Sequence, residues 1–250
     1  MRSSHHYMIG KSHDYCEDYA ASCDTFAALS DGCSVVKDQD GNRVEAHTDV
    51  GARLFVWAAF ANRWNVFEEF PEPTLKTADR FRKELLMSEA TLSATLFCLR
   101  AEHGIIRAFI CGDGAVFGRH RTDGWVGWSY RFDGPPYYLR YQLTHGPFHF
   151  PINMTSLTGH QERYEDPVRQ LAFGLPDYDL VVAMSDGAFS FTRNGVPVPF
   201  DRDFALRLLD FRRMGGKFMV RHLRGTLAEL EREGIVNQDD LSMIALYSED

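Results

Sequence analysis

The chain has 250 residues, 44% of them hydrophobic, and a formal net charge of −8. This composition supplies a buried core and excludes a disordered chain, while the acidic balance argues against a nucleic-acid partner, which calls for a basic face. The longest apolar stretch, Leu54 to Ala61, falls far short of the ~20 residues that cross a bilayer, and Met1 to Gly10 holds no apolar run of signal-peptide length; the sequence predicts a soluble, cytoplasmic protein.

In chain order, the first strands expected are Tyr7 to Gly10 and Phe26 to Leu29, the second ending at Ser30-Asp31-Gly32. A polar loop follows, Lys37 to Glu45, with a turn at Asp40-Gly41. Asp49 to Trp64 reads as a helix, with Val50, Leu54, Trp57, Ala58 and Ala61 on one stripe. Thr74 is placed to cap a second helix, Leu75 to Ser88. The pattern then turns to strands: Leu92 to Leu99, Ile105 to Cys111, Val116 to His120 and Trp125 to Arg131. Turns fall at His103-Gly104, Gly112-Asp113-Gly114 and Asp123-Gly124. Pro135 to Pro167 has no readable period. Leu180 to Met184 is a short apolar strand ending at Ser185-Asp186-Gly187. Asp203 to Arg213 and Lys217 to Glu233 read as amphipathic helices, and Ser242 to Tyr247 as the last strand. With no repeat and no linker, this predicts one α+β domain over residues 1–250, its helices covering the outer sheet faces.

Five cysteines, Cys16, Cys23, Cys33, Cys98 and Cys111, include no C-x-x-C pair. An odd count without a leader favours reduced thiols.

Six Asp-Gly dipeptides occur. At Asp40, Asp123 and Asp133 the flanks are polar, and a turn suffices to explain them. Asp31, Asp113 and Asp186 each end an apolar strand instead. Strand ends place carboxylates rigidly, and a following glycine leaves room beside the backbone. Carboxylates converging there repel one another unless a cation neutralises them. Oxygen ligands of this kind suit Mg²⁺ or Mn²⁺. Two further acidic pairs flank strands: Glu17-Asp18 and Asp239-Asp240.

The order of these motifs resembles the metal-dependent protein serine/threonine phosphatases of type 2C, in their compact bacterial form. The resemblance rests on Gly10-Lys11-Ser12-His13 with Cys16-Glu17-Asp18, Phe26 to Gly32, Ser93-Ala94-Thr95-Leu96, Phe109 to Gly114, Met184 to Gly187, and Asn237 to Ser242. It implies a four-layer α/β/β/α sandwich of two antiparallel sheets with outer helices. It also implies two or three Mn²⁺ or Mg²⁺ ions and a phosphorylated protein substrate, with a partner kinase and no nucleic acid or membrane. Asp31 would bridge two cations and Gly32 offer its carbonyl. Asp186 and Asp239 would complete one metal, Glu17 or Asp18 serve the second, and Asp113 help hold a third. Asp240 stands where the family usually has Asn, so a one-residue shift of register would make it the ligand. His13 occupies the place of a basic phosphate-binding residue, as a phosphate partner or proton donor, with Lys11 the alternative for phosphate. Cys33-Ser34-Val35 lacks the family's histidine and glycines, which leaves open a catalytically weak regulatory or binding module on the same fold. A substrate-selecting flap is expected at His145 to Asp166. A thiol hydrolase using Cys16 or Cys33 is the remaining rival, without an identifiable base.

Overall fold

The computed structural model describes residues 1–34, 36, 37, 42–44, 46–63, 71–134, 136–144 and 151–248. Its strands are β1 (Arg2–Met8), β2 (Tyr19–Cys23), β3 (Phe26–Ser30), β4 (Val36–Lys37), β5 (Arg43–Val44), β6 (Leu96–Glu102), β7 (Ile105–Cys111), β8 (Gly114–His120) and β9 (Gly124–Phe132). They continue with β10 (Ile152–Ser156), β11 (Gln161–Tyr164), β12 (Val168–Gly174), β13 (Tyr178–Ser185), β14 (Phe191–Arg193), β15 (Val196–Pro197), β16 (Ile235–Asn237) and β17 (Leu241–Tyr247). The helices are α1 (Thr48–Ala61), α2 (Glu72–Glu84), α3 (Tyr141–Thr144), α4 (Arg202–Leu209) and α5 (Phe218–Arg232).

Two antiparallel sheets dominate. One has the order β1-β17-β13-β8-β9-β10-β11 and the other β12-β7-β6-β3-β2. Their apolar residues alternate between two destinations. In β13, Val181 and Ala183 face the core between the sheets, while Leu180, Val182 and Met184 face the layer holding α4 and α5. In β3, Ala27 and Leu29 point between the sheets, and Phe26 and Ala28 point to α1 and α2. Both faces of these strands are therefore covered. That is why they read as unbroken apolar runs rather than alternating ones. The result is the α/β/β/α layering expected from the sequence.

The element boundaries need correction in places. Trp57 is 62% exposed rather than on the buried stripe of α1. The second helix begins at Glu72 with no side-chain cap, and Thr74 is buried inside it. The helix expected from Asp203 to Arg213 ends at Leu209, and its cap is Asp201, whose side chain accepts from the Phe204 N–H. Leu92 belongs to a short 3₁₀ turn, and the strand starts at Leu96. The unreadable stretch contains β10 and β11, a hairpin that extends the seven-stranded sheet through pairing of β10 with β9. Of the expected flap, residues 145–150 lie outside the described residues, as do the turn at Asp40-Gly41 and Trp64.

Two glycines show how tightly the loops at one end of the sandwich are drawn together. A Cβ on Gly187 would lie 1.7 Å from the Asp240 carbonyl oxygen, and one on Gly10 would lie 2.2 Å from the Asp239 carbonyl carbon. No side chain fits at either position, so the segment after β13, the one before β17 and the one after β1 meet at backbone contact.

Candidate metal centre

Asp18 precedes β2, Asp31 follows β3, Asp113 lies between β7 and β8, Asp186 follows β13 and Asp239 precedes β17. Strands from both sheets thus deliver these carboxylates to the same end of the sandwich. The Asp31 turn is held by the segment before β6. Thr95 Oγ1 accepts from the Asp31 N–H at 3.1 Å, the Thr95 N–H donates to the Asp31 carbonyl at 2.9 Å, and Gly32 bridges to Ala94. Asp18 is held from the other sheet. The Ser185 hydroxyl donates to Asp18 Oδ2 at 2.7 Å and accepts from the Ser242 N–H at 2.9 Å.

The carboxyls of Asp18 and Asp186 both contact that of Asp31. Two ionised carboxylates cannot share a hydrogen bond, so either a proton or a cation must sit among them. The charges of these groups show the cost. Burial, then Asp186 and Asp18, push the Asp31 carboxyl well above the carboxylate range. Burial raises Asp18 to about 7, with Asp186 adding to the rise and the Ser185 bond opposing it. Burial and Asp186 raise Asp113 to about 7 and Asp239 to about 6. Asp186 is raised by burial and eased by its bond to Asp31 and by the Arg131 charge. Asp18 Oδ1 and Asp113 Oδ1 are buried with no hydrogen-bond partner among the described residues. Orphaned, mutually repelling hard oxygens fit a divalent cation. The side chains nevertheless turn onto one another: among the described residues, no three His, Cys, Asp or Glu side chains form a ready-made ligand set.

By sequence, no family model matches the chain, and no curated protein matches it. The similarity lies in the fold. The Mycobacterium tuberculosis serine/threonine phosphatase PstP/Ppp superposes with a TM-score of 0.56 at 14% identity, over 99% of each chain. A serine/threonine phosphatase from Staphylococcus aureus gives 0.55 at 12% identity, over 99% of this chain and 95% of that one. The catalytic domain of PstP in complex with two manganese ions gives 0.53 at 15% identity, over 98% of this chain and 96% of that one. This chain has the fold of the type 2C serine/threonine phosphatases.

On this type 2C fold, the Asp239-Asp240 pair divides its work. Asp239 is half-buried and feels the charge of Asp186. Asp240 is 2% exposed and accepts from the backbone N–H groups of Gly10 and Glu17. Asp240 therefore ties down the loop that carries Glu17 and Asp18. Asp240→Ala should cost about 2–3 kcal/mol, because it leaves two buried donors without acceptors. Chemical denaturation measures this.

His13 stands between these acids, with Nε2 3.2 Å from Asp239 Oδ1 and Nδ1 3.2 Å from Asp240 Oδ2. Burial works to lower its pKa, but Asp240, Asp239 and Glu17 together raise it. Its cation thus faces carboxylates. Lys11 is exposed, and among the described residues it forms no ion pair with the cluster. The Glu17 carboxylate lies 3.2 Å from the Thr48 hydroxyl and 4.0 Å from His13, apart from the Asp18–Asp31–Asp186 contact. Burial, then the charge of Asp18, raises the Cys16 thiol far above neutral, which makes it a poor nucleophile. Cys33 meets the buried Tyr138 hydroxyl beside Asp31. None of the five cysteines is in a disulfide, and no described helix is long and apolar enough to cross a membrane. Sequence reasoning missed Thr95, Ser185 and Ser242 as supports of the site, and Arg131 as a charge beside it.

Proposed function

We propose that the chain is a metal-dependent protein serine/threonine phosphatase. The observation that carries this reading is the contact of the Asp18, Asp31 and Asp186 carboxyls at one end of a type 2C fold. On this reading Asp31 and the Gly32 carbonyl would help hold Mn²⁺ or Mg²⁺ ions. Asp18, Asp186 and Asp239 would complete the ligand set, and Asp113 would help hold a further ion. Glu17, beside Thr48 and His13, would act from further out. Bound, such ions activate water and neutralise phosphate charge for in-line displacement.

The chain's own residues do the rest. The Ser185 and Ser242 bonds fix Asp18, the Thr95 bonds fix Asp31, and His13 positions Asp239 through its ring. Rigid holding matters because misplacement of a ligand by about 1 Å is enough to lose most of the rate. The substrate is a phosphorylated protein, supplied by a partner kinase, and free thiols are in keeping with a reducing compartment such as the cytoplasm.

A pair of peptides tests the substrate class. With Mn²⁺, phosphoserine and phosphothreonine peptides should turn over about tenfold or more faster than a phosphotyrosine peptide of the same sequence. Phosphate release measures this; equal rates would reject the serine/threonine assignment.

A further inference from the structure

The seven-stranded sheet carries Arg131 to the end of the sandwich that holds Asp113 and Asp186. Ser185 pairs with Gly114, and Gly114 with Tyr130. Just beyond that row come Asp186, which follows β13, and Asp113, which precedes β8, while Arg131 is still within β9. Arg131 itself pairs with Asn153, and Asn153 with Arg163. Residues opposite one another on antiparallel strands share a face. Arg131 thus comes out beside two acids, and its charge eases the carboxyls of both Asp186 and Asp113. The Phe132 N–H, next in the chain, reaches Asp113 Oδ2 at 3.5 Å.

The Arg131 side chain is fixed without using its hydrogen bonds. Its guanidinium carbon lies 4.1 Å from the centre of the Phe189 ring. Phe189 closes the short turn that begins at Asp186. Stacking on an aromatic face orients a guanidinium and leaves its N–H fork available. Two other cations nearby already face carboxylates. Arg163 sits 3.6 Å from Asp133, and His13 faces Asp239 and Asp240. Among the described residues, Arg131 forms no ion pair. It is exposed at one wall of a cleft of about 780 Å³ that also takes in Ser129, Asn153, Arg163 and Phe200.

We propose that Arg131 is the phosphate-binding cation of this site. The proposal rests on the phosphatase reading, in which the acid cluster holds cations and the substrate brings a phosphate dianion against it. A planar fork of donors is suited to two oxygens of a phosphate, which a lysine meets only as a point charge. Phe189 then has a role as well, holding the fork at the rim of the cluster.

The test is titration of inorganic phosphate into the Mn²⁺-loaded protein, followed by calorimetry, with Mn²⁺ affinity measured in parallel. Arg131→Ala should weaken phosphate binding by about tenfold or more while Mn²⁺ affinity stays within about a factor of two. Arg131→Lys should recover part of the loss. Equal phosphate affinity in wild type and Arg131→Ala overturns the proposal. So does a change in Mn²⁺ affinity without a change in phosphate affinity, which would make Arg131 a screening charge for the acids. Turnover of the wild type decides the phosphatase reading separately. A wild type that turns over with no phosphate defect in Arg131→Ala keeps that reading and removes Arg131 from it. A wild type without turnover whose phosphate affinity still depends on Arg131 does the reverse.

Discussion

Asp31→Asn should lower Mn²⁺-dependent ester hydrolysis by a factor on the order of 10³ and at the same time raise the melting temperature of the metal-free protein. The two effects share one cause. The Asp31 carboxyl is pushed well above the usual range by burial and by its contacts with Asp186 and Asp18. Holding three carboxyls together costs free energy that only a cation or protons offset. An amide in place of Asp31 removes one charge from that contact and can donate to its neighbours. A gain of about 1–2 kcal/mol would appear as a rise of about 2–8 °C at this chain length. The same amide cannot bridge two cations as a carboxylate does, so activity is lost. Scanning calorimetry with chelator and a phosphate-release assay with Mn²⁺ read the two sides. An aspartate held only by structural hydrogen bonds would lose stability on substitution, so opposite signs separate the roles.

The gap in melting temperature between Mn²⁺-loaded and chelated protein should widen by about 5–10 °C as pH rises from 5 to 8. Asp18 and Asp113 are raised to about 7 and Asp239 to about 6, whereas an unfolded aspartate titrates near 3.9. The folded, metal-free chain therefore binds more protons than the unfolded one between about pH 4 and pH 7. Where the folded state binds more protons, stability falls as pH rises. The site is thus least costly to the metal-free protein at the acid end of that window, with the carboxyls protonated. It becomes most costly above pH 7, with the carboxyls ionised. Mn²⁺ replaces the protons and removes the penalty. A gap that is constant across this range would mean that these carboxyls are not the ones the metal meets.

The site was legible where a strand's sequence ends in a carboxylate. Asp31 and Asp186 follow apolar runs whose burial on both faces made the strands visible, and the strand end fixes the side chain. Asp113 was visible for the same reason, between β7 and β8. Asp18 was harder, because β2 is short and only Ala20 of its residues is fully buried; the acidic pair stood out, but the strand behind it did not. β10 and β11 were not legible either. β11 has no buried residue, so it carries no apolar signal of its own and gains its place from pairing with β10. The Thr74 cap failed because buried packing inside α2 won over local hydrogen bonding, a common override of capping preference. Arg131 was within reach. The turn at Asp123-Gly124 sets a hairpin in which Tyr130 pairs with Gly114, the residue after Asp113, and Arg131 comes next in the chain. The division between Asp239 and Asp240 lay beyond the sequence, since it depends on Gly10 and Glu17 arriving from the far end of the chain.

The most direct test is hydrolysis of a small aryl phosphate by the wild type with Mn²⁺, the wild type with chelator, and Asp186→Asn with Mn²⁺. Metal-dependent phosphatase chemistry predicts turnover in the first, none in the second, and loss on the order of 10³ in the third. A folded wild type with no Mn²⁺-dependent turnover would contradict it, and would favour a binding module built on the same fold.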